Sequence, residues 1–537
     1  MRRSLEDFLE DPSGAWLASL ALLSPLLLLY LAQFLLTPGW IWPGGFLQPD
    51  HAALLAEARE YFDRGFSPLR ALPFSDTRNA PQIYFEPLTL LLGALLACGG
   101  FDPGALNAAA GLILGLLCLR LALALYGALV GFATPGRRIG LLLFVWGGGL
   151  FALLGLAAGF GAPARLADFA PGEALNLGRS LLSPEQAFLH AVFLGCLLAL
   201  HRRRFFLALL LCLLLAASDA SAGLQLLLVV LAWAGLERGF LGDRSLPAWF
   251  PATLGVFLAL HLGYYYAYLP LTSWEHRMAT APAEPAQTLT LLSLLAAYAL
   301  AGAAVVLRLR NRIHAAPVLG RASGRLLAVW LLVSFALANH EFLMPPRDPL
   351  RFAQGHLWMP LFLLGAPVLA ALLDRLWAAR GGWRAPAPLV LALVVTVFLF
   401  DNAAFLAQET RTILRGEGRA QSLARTQRQA LAALESERFE GFLVATPEAP
   451  LGYMTTVYTP LRSWYSHDRQ TPAAALRRER LEAFAARQIA PSEWLWDDVV
   501  VILKATPIEA GRLAWLRHGM SVEDAPGPYV FIVSPAR

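Results

Sequence analysis

Residues 16–36 read WLASLALLSPLLLLYLAQFLL, an unbroken apolar run with no charged side chain. A helix of that length reaches about 30 Å, the thickness of the hydrocarbon core of a bilayer. The run follows Met1-Arg2-Arg3 and ends in Thr37-Pro38-Gly39-Trp40, with no A-x-A site. It therefore reads as a retained anchor, not as a cleaved signal peptide. The same texture recurs near 105–132, 139–160, 184–200, 205–218, 222–236, 250–270, 288–307, 326–338, 356–374 and 386–404. Counted by apolarity, these make an all-α polytopic membrane domain of about eleven spanning helices. A shorter run, 87–99, reaches only about 20 Å as a helix and reads as a re-entrant or surface-lying segment.

Composition agrees. The chain has 537 residues, 57% hydrophobic and 15% charged, with a mean hydropathy of +0.53. A soluble globular chain carries roughly 25% charged residues, so a single soluble domain, a disordered chain and a secreted disulfide scaffold are excluded. The net charge is only +5, Lys504 is the sole lysine, and the arginines stand in short clusters between apolar runs. These are loop charges of a membrane protein and carry no sign of nucleic-acid binding. Cys98, Cys118, Cys196 and Cys212 each lie inside an apolar stretch and read as small core residues.

Sidedness follows from the clusters. Arg137-Arg138, His201 to Arg204, Glu237 to Arg244, Arg308 to Arg325 and Arg375 to Arg384 are expected on the cytoplasmic side. Alternating the spans places them all there, with the N-terminus, and leaves 37–86, 161–183, 271–287, 339–355 and everything after about 405 on the other face. The outer loops carry acids, histidines and arginines together, and of ten histidines only His201 and His314 fall in cytoplasmic loops. Reactive chemistry is expected at the outer boundary. No Walker A, GxGxxG, HExxH or CxxC motif occurs, which leaves a nucleotide-driven pump or a zinc protease without support.

Beyond about residue 405 hydropathy falls. Strands are expected at Gly441 to Thr446, Leu461 to Tyr465, Val499 to Leu503 and Tyr529 to Val533. Helical patterns lie between them, near 450–458 and 473–487. Strands alternating with helices suggest a small C-terminal α/β soluble domain, giving boundaries of 1–408 and 409–537. It reads as a cap over the outer face, with Tyr453, Tyr458, Trp464, Tyr465 and His467 as candidate substrate contacts.

The first outer loop is the richest stretch. Asp50-His51 opens a helical segment that runs through Glu57 and Tyr61 to Asp63-Arg64-Gly65. Tyr84-Phe85-Glu86-Pro87-Leu88 then leads back into an apolar run that closes at Gly99-Gly100-Phe101-Asp102. This arrangement resembles the GT-C class of integral-membrane glycosyltransferases, multi-span enzymes with an acid in the first extracytoplasmic loop. The likeness covers about residues 15–405 and the soluble tail. Asp50 stands at the acid position and Tyr84 to Leu88 at the re-entry. Two departures are visible: His51 follows Asp50 where members often pair acids, and Glu86-Pro87 replaces Pro-Pro. No metal site is assigned; a divalent cation is the one cofactor the resemblance leaves open.

The resemblance implies a polyprenyl-phosphate-linked sugar donor in the bacterial inner membrane and a glycan, lipid or protein acceptor on the periplasmic face, where the C-terminal domain would lie. Membrane lipids are the other partners, and nucleic acid is not among them. Glycosyl transfer to a hydroxyl needs a base, and a carboxylate at a dry boundary suits that task. Asp50 and Glu86 are the catalytic candidates. The leaving phosphate needs fixed positive groups, for which Arg179, Arg347, Arg351 and His356 are candidates; His51, His340 and Glu341 complete the expected substrate-binding set. Each has a plainer reading: Asp50 as the cap of its helix, Glu86 as a first-turn acid, His51 as a loop residue, Arg179 as a partner of Glu173 or a side chain snorkelling to headgroups. Two other function classes stay open, a transporter or flippase of lipid-linked sugars and a non-catalytic membrane scaffold. The first needs a polar path across the spans, which the near-absence of charge within them does not supply.

Overall fold

A computed structural model of the chain describes residues 5–48, 50–63, 65–75, 80–150, 153–154, 176–273, 276, 291–310, 320–340, 349–379, 386–416, 422–466, 471–486, 499–504 and 520–533. The apolar runs are helices, but the expectation of about eleven spans is not met. Among the described residues six helices are long and apolar enough to cross a membrane: Pro12–Leu36, Pro103–Leu129, Ala220–Phe240, Trp249–Thr272, Trp358–Ala378 and Ala387–Arg415. The reason lies in where helices stop. Phe205–Ser218 is 14 residues long and ends where Asp219 turns to extended backbone and caps the next helix, accepting from the amides of Ser221 and Ala222. Pro135–Trp146 is 12 residues long and stops at Gly147, well short of the apolar run that continues to residue 160. Ala322–Ala338 has 17 residues. At 1.5 Å per residue none of these reaches the roughly 30 Å of hydrocarbon.

By internal contacts the chain divides into two units, one made of 1–29, 110–265 and 284–411, the other of 30–109, 266–283 and 412–537. The first unit is helical. Trp358–Ala378 packs against Leu291–Arg310, Pro135–Trp146 and Ala322–Ala338, and Ala220–Gly235 packs against Phe205–Ser218, Trp249–Leu262 and Ala322–Ala338. Several of its buried polar groups are tied internally, as a low-dielectric interior favours. Gln225 Nε2 donates to Ser334 Oγ at 2.7 Å and to the Phe352 carbonyl at 2.9 Å, and Trp358 Nε1 to the Phe144 carbonyl at 3.0 Å.

The second unit joins the first loop to the C-terminal tail. A small mixed β-sheet of five strands is present: β1 (Leu443–Ala445), β2 (Arg462–Ser463), β3 (Val499–Lys504), β4 (Ser521–Asp524) and β5 (Tyr529–Val533). Their order is β2-β1-β3-β5-β4. β1 runs parallel to β2 and β3, while β5 is antiparallel to β3 and β4. Helix Ala449–Tyr458 makes the crossover from β1 to β2. Val499, Val501, Leu503, Val530 and Ile532 share one face of the sheet and pack with Trp464, Tyr465, Leu481 and Phe484, while Val500, Ile502 and Phe531 between them are buried as well.

Candidate active site in the first loop

Helix Asp50–Arg59 opens the site. Asp50 is its first residue, and its side chain lies outside the described residues. Glu57 follows two turns later, about 10 Å along the axis and on nearly the same face. Helix Pro87–Gly99 lies alongside. It starts with Glu86 in extended backbone and Pro87 in its first turn, a combination in which the missing amide costs nothing. The two helices touch through Gly93, where a Cβ would stand 2.2 Å from the Ala58 carbonyl oxygen. Only a residue without a side chain allows that approach.

Glu86 does not cap its helix with its side chain. It reaches Arg70 instead. Arg70 Nη2 lies 2.7 Å from Glu86 Oε1 and 3.0 Å from Glu57 Oε2, so one guanidinium joins the two helices. Arg70 is only 3% exposed, and its backbone pairs antiparallel with Tyr84. Its guanidinium also sits over the Tyr84 ring, 5.2 Å from the centroid, a favourable cation–π geometry. Burial alone would lower the Arg70 pKa; the flanking carboxylates of Glu57 and Glu86 outweigh it and hold the guanidinium above its ordinary value. Tyr61 accepts from the Glu86 amide at 2.9 Å, and the Thr89 hydroxyl donates to the Glu86 carbonyl at 2.9 Å. Burial pushes the Tyr61 phenol up in pKa, so it stays neutral and able to donate.

The cluster extends to the tail. Arg462, 5% exposed, pairs with Glu60 Oε2 at 2.7 Å and donates to the Ser75 carbonyl at 3.1 Å. Phe74 stacks on Tyr453 with centroids 5.9 Å apart. Tyr84 Oη meets His276 Nδ1 at 3.1 Å. Of the other expected tail contacts, Tyr458 is buried beneath Arg428, with 4.6 Å from Cζ to the ring centroid, and Trp464 and Tyr465 belong to the sheet core. His467 lies outside the described residues.

The remaining sequence candidates separate. His51 is buried in the first turn of helix Asp50–Arg59. Arg179 belongs to the helical unit, 5% exposed, with Nε 3.1 Å from Asn402 Oδ1 and its guanidinium 4.9 Å from the Phe405 ring centroid. His340 Nδ1 meets the Leu337 carbonyl at 2.7 Å, and the ring packs edge-on against Phe352. Arg351 is 52% exposed and 3.5 Å from Asp219 Oδ2. His356 is buried and stacked on His190 at 4.8 Å; burial first, and His190 second, hold its pKa well below the usual histidine range. Glu341 and Arg347 lie outside the described residues. The sequence reading passed over Arg70, Glu57 and Arg462. Two signals pointed to them: Glu57 stands seven residues after Asp50, and Arg70 is an arginine set apart from every cytoplasmic cluster.

Among the described residues no group of three or more His, Cys, Asp or Glu side chains could hold a metal ion. Glu57 and Glu86 converge, but on a guanidinium that already fills the place between them. The described donor set therefore does not fit a divalent cation.

Fold and site together define a multi-helix membrane protein whose first loop carries a buried acid–arginine cluster tied to a small sheet domain. The chain is similar over nearly its whole length to ArnT from Cupriavidus metallidurans, whose crystal structure holds undecaprenyl phosphate. The TM-score is 0.52 at 14% identity, over 97% of this chain and 98% of that one. A looser superposition, TM-score 0.44 at 13% identity, covers 91% of this chain and 70% of the Archaeoglobus fulgidus oligosaccharyltransferase tethered to an acceptor peptide with the NVT sequon. At such identities the likeness is one of fold. The sequence matches no described protein family and no curated protein.

Proposed function

We propose that the protein is a membrane glycosyltransferase of GT-C type that moves a sugar from a polyprenyl-phosphate-linked donor to an acceptor hydroxyl at the extracytoplasmic face of a bacterial inner membrane. The observation that carries this reading is the end-to-end fold likeness to a protein crystallised with undecaprenyl phosphate. The acid-bearing first loop, built as a fixed structure, supports it.

In this reading Asp50 is the base. It takes the acceptor proton as the acceptor oxygen bonds to the anomeric carbon, and the bond from that carbon to the phosphate oxygen breaks, releasing polyprenyl phosphate. Glu86 acts as a positioning residue: its carboxylate is committed to Arg70, and the Glu57–Arg70–Glu86 cluster fixes the helix that carries Asp50. The leaving phosphate needs a cation, and Arg351, 52% exposed, is the proposed one. Arg179, His340 and His356 are further proposed donor contacts. Glu341, Arg347 and His51 remain proposed acceptor or donor contacts.

The test uses purified protein. Undecaprenyl phosphate binding is measured by native mass spectrometry, and release of undecaprenyl phosphate is followed over a panel of undecaprenyl-phosphate sugars. Binding by both wild type and D50N is expected, with transfer lost in D50N by about 100-fold or more. Failure of the wild-type chain to bind the lipid, or full transfer by D50N, rejects the assignment.

A further inference from the structure

At the end of the helical unit where arginines gather lies a cavity of about 50 Å³. It opens among the end of helix Pro184–His201, the start of Phe205–Ser218, the π-helical turn Leu236–Phe240 and the start of Ala322–Ala338. A water position needs roughly 10–15 Å³ on this measure, so the space takes a group of a few heavy atoms, the size of a phosphate, and excludes a nucleotide.

Its polar wall holds two donors, Trp233 and Arg203, beside His201, Ser323, Glu237 and Asp243. Trp233 is 6% exposed, and its indole N–H has no hydrogen-bond partner among the described residues. An indole nitrogen can only donate, and leaving it dry and unpaired is unfavourable. Arg203 lines the same space with a guanidinium that is 58% exposed and, among the described residues, is held by Ser245 and a 3.6 Å approach to Asp243. Arg203 is also one of two non-glycine residues with left-handed backbone among the described residues, φ 56°, a conformation an arginine adopts at a disadvantage. The acids in the wall are already engaged. Glu237 is gripped by Arg325 through both oxygens, at 2.7 and 2.8 Å, and Asp243 accepts from the Ser245 amide at 2.9 Å and from its hydroxyl at 2.5 Å. With both carboxylates so engaged, the Trp233 indole N–H is left without an acceptor among the described residues.

We infer that this cavity binds the phosphate group of an anionic ligand, with Trp233 and Arg203 as its donors. Arg202, Arg204, Arg238 and Arg244 surround the opening in sequence and favour a net negative charge. Phe206, next in sequence to the lining residue Phe205, and Phe240, at the end of the turn that carries Glu237, are 68% and 87% exposed and offer apolar surface to acyl chains. The same phosphate chemistry could come from a lipid headgroup or from a soluble phosphate ester. The inference is independent of the transferase reading, because it concerns binding at residues outside that site.

The test is calorimetric titration of the full-length purified protein in neutral detergent with short-chain phosphatidylglycerol, short-chain phosphatidylcholine and inorganic phosphate. Variants are W233F, which deletes one donor and keeps the ring, and R203Q. Phosphatidylglycerol is expected to bind more tightly than phosphatidylcholine. The loss should be about fivefold in W233F, the effect of one hydrogen bond, and about tenfold in R203Q, where the donor is charged. Inorganic phosphate binding as tightly as phosphatidylglycerol, with the same two losses, supports the site with a soluble source. No binding of either anion, equal binding of phosphatidylcholine, or unchanged affinity in both variants with wild-type thermal unfolding overturns the inference.

Discussion

Replacing Arg70 with Met tests the first-loop cluster directly. The guanidinium is 3% exposed and binds Glu86 at 2.7 Å and Glu57 at 3.0 Å, the two carboxyl side chains being 26% and 17% exposed. Methionine keeps much of the aliphatic bulk and removes the charge. Two carboxylates are then left facing one another with no cation. Breaking a buried ion pair from one side costs about 3–5 kcal/mol. Partial exposure of both acids argues for the lower end, about 3 kcal/mol. The pH dependence has a definite sign. Two facing negative charges disfavour ionisation in the folded variant, so it binds more protons than the unfolded one and its stability falls as pH rises through the carboxylate range. The deficit of R70M is therefore largest at pH 7.5 and shrinks on acidification toward pH 4.5, with wild type as reference. The triple variant E57Q/R70M/E86Q, which removes the charges with the cation, recovers most of the loss at neutral pH. Thermal unfolding in detergent at several pH values gives the comparison, with polyprenyl-phosphate-dependent transfer read in parallel. A deficit under about 1 kcal/mol, or one of equal size at both pH values, refutes the claim that Arg70 is the buried counter-ion of this loop.

Three further outcomes follow from particular contacts. Gly93→Val drives a side chain against the Ala58 carbonyl and is expected to lower stability by about 1–3 kcal/mol, seen as a lower Tm and faster proteolysis of the first loop. Asp219→Ala removes the cap that accepts from Ser221 and Ala222 at 2.9 and 2.6 Å; it should cost about 1 kcal/mol, while D219N retains most of it, by the same unfolding measurement. Arg462→Met leaves Glu60 without its 2.7 Å partner and is expected to destabilise by about 3 kcal/mol, with E60Q/R462M milder than R462M alone in a double-mutant cycle.

The helices were legible from the sequence because an apolar run must bury its backbone polar groups in a helix whether it spans a bilayer or not. That same generality is why the count of spans was not legible. Residues 205–236 hold two apolar runs, and whether each spans is decided by Asp219, a single capping residue that ends one helix after 14 residues and starts the next. In the tail, Val499 to Leu503 and Tyr529 to Val533 announce themselves as buried strands. β4 escaped, since Ser521–Asp524 is an edge strand with exposed ends and no apolar alternation. At the site, Glu86 stood out beside Pro87, yet its partner did not. Glu86 and Arg70 stand sixteen residues apart, and Arg462 meets Glu60 across most of the sequence. Neither separation matches a helix or strand period, so no local pattern reports it.

Those long-range pairs also change what the tail does. A cap would be expected to lie over the first loop without shaping it. Instead the backbones interlock: Trp42 donates to the Leu423 carbonyl at 2.8 Å, Arg425 donates to the Trp40 carbonyl at 3.0 Å, and Ile41 bridges Ala424. Gly45, in left-handed backbone, lies against Gly104, where a Cβ on Gly45 would stand 2.1 Å from the Gly104 carbonyl oxygen. A loop of this length gains little from its own apolar content, and helix Asp50–Arg59 at ten residues is too short to persist alone. Its order comes from being sewn to the sheet domain through Arg462, Tyr453 and residues 423–425 and to the re-entry helix through Arg70. The helix that carries Asp50 is thus held by two buried arginines, Arg70 within the loop and Arg462 from the sheet domain, and neither need touch a substrate to govern the reaction proposed for it.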